Sequence, residues 1–258
     1  MKITIKSQDE IATLREGGKR LAYILDETSK LIAPGVSIDE LNSFGHKLMM
    51  EVEGDRPAFL DYTPSGADRP FPAALCICVN DEIVHGIPTE DPHILQEGDI
   101  VTLDAGLVHN NLFTDHARTF PVGEISKDVR KLLTATSEAL SRGIKEARPG
   151  NRIGDISSVI EKHLTLNGFT VIEGLSGHGV GYDVHEPPYV PNEGRKGTGD
   201  VIQVGMVLAI EPMASMGTSK IILDRDGYTY KTADGSLSAQ FEHTVVITET
   251  GAEILTKI

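Results

Sequence analysis

The sequence predicts an α+β fold made of two similar halves, and three observations lead there. Residues 34–41 (PGVSIDEL) return as residues 149–156 (PGNRIGDI), 115 residues further on. Each copy stands between two stretches with helical apolar spacing. The rest of each half consists of short strand-like apolar runs, and several of them carry an acid.

The elements follow in chain order. Ser7 with Glu10 forms a capping-box pattern, and Ile11, Leu14, Leu21, Ile24, Leu25, Leu31 and Ile32 then recur on one helical face. Pro34 and Gly35 stop that helix. Ser37 with Glu40 repeats the cap ahead of Ile38, Leu41, Phe44 and Leu48. Residues 100–108 and 112–120 read as strands joined at Asn110 and Asn111, residue types that tolerate left-handed turn geometry. Ser126 opens a third helix with Val129, Leu132, Leu133, Leu140 and Ile144, which ends at Pro149 and Gly150. Ile156, Ile160 and Leu164 make a fourth, stopping near Gly168. The remainder is strand-rich, with a turn at Asp224 to Gly227.

Two further echoes support a duplication. Gly98 precedes Asp104 by six residues, as Gly205 precedes Glu211, and Asp115-His116 is matched by Glu242-His243. A duplication of this kind sets equivalent acids from both halves around one point. The expected architecture is helices outside a curved, largely antiparallel sheet. It forms a single unit over residues 1–258, with halves at roughly 1–123 and 124–258.

Composition excludes several classes of protein. The formal net charge is −14 and no basic stripe is visible, which argues against nucleic-acid binding. No apolar run reaches membrane-spanning length, and the first residues lack the apolar core of a signal peptide, so a cytoplasmic protein is expected. The only cysteines, Cys76 and Cys78, are too few for a zinc site and read as core or pocket-lining thiols. A monomer is the default expectation.

Asp104, Glu211 and Glu242 lie in or against the apolar runs 100–104, 207–211 and 244–247. A buried carboxylate needs a partner, and lysine and arginine are scarce in these runs. Divalent cations are the remaining counter-charge. An even-length tight turn at Asn110 and Asn111 puts Asp104 and Asp115 on one face of their ribbon, directly opposite or one diagonal apart. Solvent-facing acids are the alternative, and the apolar neighbours oppose it. His178 stands between glycines in GHGVG (177–181), which frees the backbone to hold the imidazole at a fixed point. His85 and His185 are pinned beside glycine or proline, as metal ligands or as hydrogen-bonding groups for a substrate. The six other histidines read as surface or structural.

Taken together, these stretches resemble the type I methionine aminopeptidases over essentially the whole chain. The matching pieces are CICVND (76–81), VHGIP (84–88), Asp104 with Asp115, GHGVG (177–181), His185-Glu186, Gly205 with Glu211-Pro212-Met213, and LSAQFEH (237–243). The resemblance is to the short bacterial form. It implies the pita-bread (creatinase/aminopeptidase) fold and two divalent ions of cobalt, manganese, iron or zinc. By the same resemblance, Asp104, Asp115 and Glu242 hold one ion. Asp115, His178, Glu211 and Glu242 hold the other, and Glu211 also accepts a proton. His85 and His185 contact the substrate, and Phe71, Cys76 and Tyr228 line the methionine pocket. The implied reaction is hydrolytic removal of the initiator methionine from nascent chains whose second residue is small. Contact with the ribosome is also implied, although Lys220, Arg225 and Lys231 make only a thin basic cluster. Val184 and Leu175 depart from residues frequent in the family and touch on pocket shape. The alternatives are a Xaa-Pro aminopeptidase or dipeptidase of the same fold, and a non-catalytic binding protein that kept it.

Overall fold

The structure, a computed structural model, describes residues 2–64 and 66–258. Four helices carry the predicted apolar faces: α1 (Gln8–Ser29), α2 (Ile38–Met49), α3 (Lys127–Glu146) and α4 (Ile153–Leu166). The capping box at α1 is complete: Ser7 Oγ accepts from the Glu10 N–H, and Glu10 Oε2 accepts from the Ser7 N–H at 2.7 Å. Two details differ from expectation. α1 ends at Ser29, so Leu31 falls past the helix and is exposed. Ser37 does cap α2, but by accepting the Asp39 N–H, and Glu40 does not reach back.

The strands pair antiparallel throughout, in four ladders. In the first half, Ile100–His109 lies between Leu75–Val79 and Leu112–Pro121. α1 and α2 cover this sheet, with Leu21, Leu25, Leu41 and Met49 against Leu75, Ile77, Leu103 and Leu107 in one buried cluster. In the second half, the ladder runs Gly251–Ile254, His243–Thr248, Val207–Ile210, Ser176–Gly179, Glu186–Pro191. There α3 and α4 bury Leu132, Leu140, Ile156 and Ile160 against Leu208, Ile210, Val245 and Ile247.

The repeat seen in the sequence recurs as repeated hydrogen bonds. The Gly35 N–H donates to Leu95 O at 2.7 Å, and Gly150 to Ile202 O at 2.9 Å. Ile38 donates to His93 O, and Ile153 to Asp200 O, both at 3.0 Å. Gly98 donates to Val122 O at 2.9 Å, and Gly205 to Ile247 O at 2.8 Å. All four glycines have φ between +86° and +92°, which a Cβ would disfavour.

The halves meet along a seam between residues 115–119 and 240–244. The Asp115 N–H donates to Thr244 Oγ1 at 2.8 Å, and that hydroxyl donates to the Asp115 carbonyl at 2.7 Å. The Glu242 N–H donates to Ala117 O at 2.8 Å. Thr119 Oγ1 accepts from the Gln240 N–H and donates to its carbonyl. Asp115 and Glu242, one from each half, are thus held beside each other by a threonine hydroxyl and a main-chain bond.

Asn110 and Asn111 form the hairpin turn at φ +48° and +65°. We predict that Asn111→Val destabilises the fold by about 1–2 kcal/mol, the cost of a left-handed backbone for an ordinary residue. A urea melt with an unchanged midpoint would show that the turn does not constrain the site.

Candidate metal centre

The hairpin sets the first two acids. Asp104 pairs with Ala117 and Asp115 with Gly106, so the carboxylates stand one diagonal apart on one face. Glu211 follows the strand Val207–Ile210, where Pro212 interrupts the ladder. Glu242 sits on the seam. His178 pairs with Ala209 in the adjacent strand, and a Cβ at Gly177 would meet Ala209 O at 2.4 Å, so glycine permits that close approach.

All five side chains line one pocket. Each is at most 7% exposed. Ligand atoms of Asp115, His178 and Glu242 lie within 4.8 Å of one another, a group able to hold a metal ion. Asp104 and Glu211 line the same pocket but lie outside that trio.

The electrostatics show what the site lacks. Among the described residues, no lysine or arginine makes an ion pair with any of the four acids. Burial pushes Asp104 up to about 7. Burial, and then repulsion from the neighbouring acids, raises Asp115, Glu211 and Glu242 well above the usual carboxylate range. Asp104 Oδ1 is buried with no hydrogen-bond partner. An orphaned oxygen among mutually repelling acids is what a bound cation satisfies.

The histidine fits the same reading. Burial lowers His178 to about 3, so its ring is neutral. Nδ1–H donates to Gly179 O at 2.9 Å, which leaves the Nε2 lone pair free 3.5 Å from Glu211 Oε1. A neutral ring with its proton on Nδ1 cannot pair ionically with that carboxylate, but it can ligate a metal. Carboxylate oxygens with one imidazole suit manganese, iron, cobalt or zinc. The residues present therefore fit divalent ions.

The other predicted residues converge here too. His85, His185, Phe71, Cys76 and Tyr228 all line the pocket. His85 has φ +61°, a strained setting for a non-glycine residue, and a Cβ at Gly86 would meet Ile77 O at 2.2 Å. The chain is pressed against the strand Leu75–Val79 there, which aims the imidazole inward. Burial lowers His85 to about 4 and also lowers His185, so both are neutral. Burial and the nearby acids push the Cys76 thiol up, so it serves as an apolar wall and not as a nucleophile.

Several participants escaped the sequence reading. Phe59, Tyr62, Pro64 and Val84 also line the pocket, and Tyr62 Oη lies 3.2 Å from His185 Nδ1. The aromatic density of residues 59–71 was the signal for the first three, and Val84 stood in the VHGIP stretch without a role. Gln240 donates to Glu211 Oε2 at 3.0 Å, Asn192 to the Glu211 carbonyl at 2.9 Å, and His116 Nδ1–H to the Glu242 carbonyl at 2.5 Å. His116 is thereby structural, as its sequence setting suggested.

Comparison with known proteins matches this geometry. The model of metallopeptidase family M24 matches residues 12–249. The chain is 43% identical over 262 residues to a methionine aminopeptidase of Aquifex aeolicus, covering 100% of both chains. It is 40% identical over 256 residues to methionine aminopeptidase 1 of Bacillus subtilis, covering 99% of this chain and 100% of that one. The crystal structure of a methionine aminopeptidase from Thermotoga maritima superposes with a TM-score of 0.95 at 41% identity, over 100% of both chains. A prolidase from Pyrococcus horikoshii gives 0.75 at 23% identity, covering 98% of this chain and 63% of that one, which is a likeness of fold.

A pH dependence follows from the raised carboxylates. Ligation needs them ionised, so protons compete with a cation up to near neutrality, and competition fades as pH rises. After chelator treatment, the rise in melting temperature on adding Mn²⁺ should be larger at about pH 7.5 than at about pH 5.5. Equal increments at both would mean the ion binds elsewhere.

Proposed function

We infer how the site works from the premise that this chain belongs to metallopeptidase family M24, whose methionine aminopeptidases it matches end to end. It is a metal-dependent hydrolase that releases methionine from the amino terminus of a polypeptide. The observation that supports this best is one pocket joining a carboxylate–imidazole cluster to an apolar slot lined by Phe71, Cys76 and Tyr228.

We assign Asp104, Asp115 and Glu242 to one divalent ion, and Asp115, His178, Glu211 and Glu242 to the other. When bound, the ions would supply Lewis-acid polarisation of the scissile carbonyl and would acidify the attacking water. Glu211 takes the water's proton, and the Gln240 amide, donating to its Oε2, holds the carboxylate in orientation. The Tyr62 hydroxyl lies 3.2 Å from His185 Nδ1, and we assign the tyrosine as donor, which puts the imidazole proton on Nε2 facing the scissile amide. His85 lies beside the substrate's amino end. Phe59, Tyr62, Phe71, Cys76 and Tyr228 enclose the methionine side chain, whose thioether packs softly against aromatic and thiol groups. A small second residue suits the crowded mouth near Tyr62 and His185.

We place the protein in the cytoplasm as a monomer, a single unit over residues 1–258 with halves meeting near residue 123, acting on nascent chains. No helix of the described residues is long and apolar enough to cross a membrane. Ribosome contact would have to rely on Lys220 and Arg225, because Lys231 is paired with Asp224 and Glu82.

Glu211→Gln should cut hydrolysis of a Met-Ala-Ser peptide by about 10²–10⁴-fold while the fold is retained. A near-wild-type rate would reject its role as base. The unmutated enzyme should cleave Met-Ala-Ser and leave Ala-Pro intact; preference for Ala-Pro would favour a Xaa-Pro peptidase instead.

A further inference from the structure

We propose that Lys6 is a positioning residue for His185, acting through the buried carboxylate of Glu186, an inference that rests on reading His185 as a substrate contact. Residues 180–185 form neither helix nor strand, and their main-chain anchors lie at the two ends: the Val180 N–H donates to Val207 O at 3.2 Å, Gly181 O accepts from the Phe113 N–H at 2.8 Å, and Glu186 opens the next strand opposite Gly179. Between those ends, what closes the turn that carries His185 is a buried ion pair. Lys6 Nζ lies 2.7 Å from Glu186 Oε2, with side chains 1% and 5% exposed. Glu186 is the residue after His185, and its other oxygen accepts the backbone N–H groups of Tyr182 and Asp183. One carboxylate therefore folds residues 182–186 into a closed turn. Lys6 and Thr4 occupy its remaining oxygen.

The ammonium is enclosed on its other sides as well. It sits 4.5 Å over the Tyr182 ring, whose hydroxyl donates to Glu10 Oε1 at 2.8 Å. A Cβ at Gly181 would meet Lys6 Cε at 2.4 Å, so glycine leaves the channel through which the lysine enters. The Lys6 N–H donates to Gly205 O at 2.9 Å, anchoring the amino-terminal segment to the strand region that leads to Glu211. From this turn His185 projects against His178, ring centroids 4.5 Å apart, and meets Tyr62 at Nδ1. Removing the ammonium leaves a buried carboxylate without a counter-charge, and the turn must open to solvate it. The imidazole then leaves its place, whereas Asp104, Asp115, Glu211 and Glu242 sit on other segments and His178 is held by its own pairing with Ala209.

The test is a double-mutant cycle between Lys6→Met and His185→Ala, with metal content measured for each protein. Lys6→Met alone should lower kcat on Met-Ala-Ser by about 10- to 100-fold with KM and metal content held. In the His185→Ala background it should change kcat by less than about twofold. Lys6→Arg, which keeps the charge, should recover part of the loss. Glu186→Gln runs through the same cycle, so misfolding of one variant leaves the other to decide. The His185 side-chain ¹H–¹⁵N signal of the metal-free protein should shift in Lys6→Met while that of His163 stays. An equal loss in both backgrounds, or an unmoved His185 signal, would overturn the proposal. If the unmutated enzyme fails to cleave methionyl peptides, the reading beneath it fails separately, and the spectrum still reports on Lys6.

Discussion

Mutual repulsion among four buried carboxylates is the constraint to which the rest of the structure answers. Asp104, Asp115, Glu211 and Glu242 face one pocket with one neutral imidazole and no basic side chain paired to them among the described residues. Burial raises all four, so keeping them ionised together is unfavourable without cations. Two divalent ions would cancel four of the chain's 14 excess negative charges at a place where burial keeps water from them. Burial acts on the neighbours as well: with help from the acids it raises the Cys76 thiol, and with help from the other histidines it lowers His85 and His178.

The fold holds this unfavourable arrangement by dividing it between two copies of one motif. Asp104 and Asp115 come from a hairpin in the first half; His178, Glu211 and Glu242 come from the ladder of the second. Each sheet is backed by its own helix pair, and the seam at 115–119 and 240–244 is stitched by Thr119 and Thr244 hydroxyls as well as main-chain bonds. The candidate ligands sit on or immediately beside strands, where position is rigid. The groups we assign to the substrate sit on irregular segments: His85 at a strained turn, Tyr62 in the stretch 58–64, His185 in the turn closed by Glu186. That division lets the chemistry stay fixed while the pocket's shape depends on loops.

What could be read from the sequence follows the same line. Acids in apolar runs stand out because burial of charge is rare. Asn110-Asn111 set the hairpin parity, so register arithmetic alone puts Asp104 and Asp115 on one face. The glycines at 35, 98, 150 and 205 marked the duplication because each needs a positive φ. Asn192 and Thr244 were silent, because their partners lie across the seam or in another strand, and Gln240 stood out only as part of LSAQFEH, with no sign of its bond to Glu211. Tyr62 and Phe59 lie in a loop with no periodicity to interpret. The end of α1 was overrun at Leu31 because the apolar spacing continues past the last helical turn, where exposure, not pattern, decides.

The account's central claim concerns where cations bind, and crystals soaked in Mn²⁺ and measured near its absorption edge test it most directly. Two anomalous-difference peaks should appear among Asp104, Asp115, His178, Glu211 and Glu242, with Asp115 and Glu242 touching both. Peaks elsewhere, or none with those carboxylates turned away from one another, would contradict it.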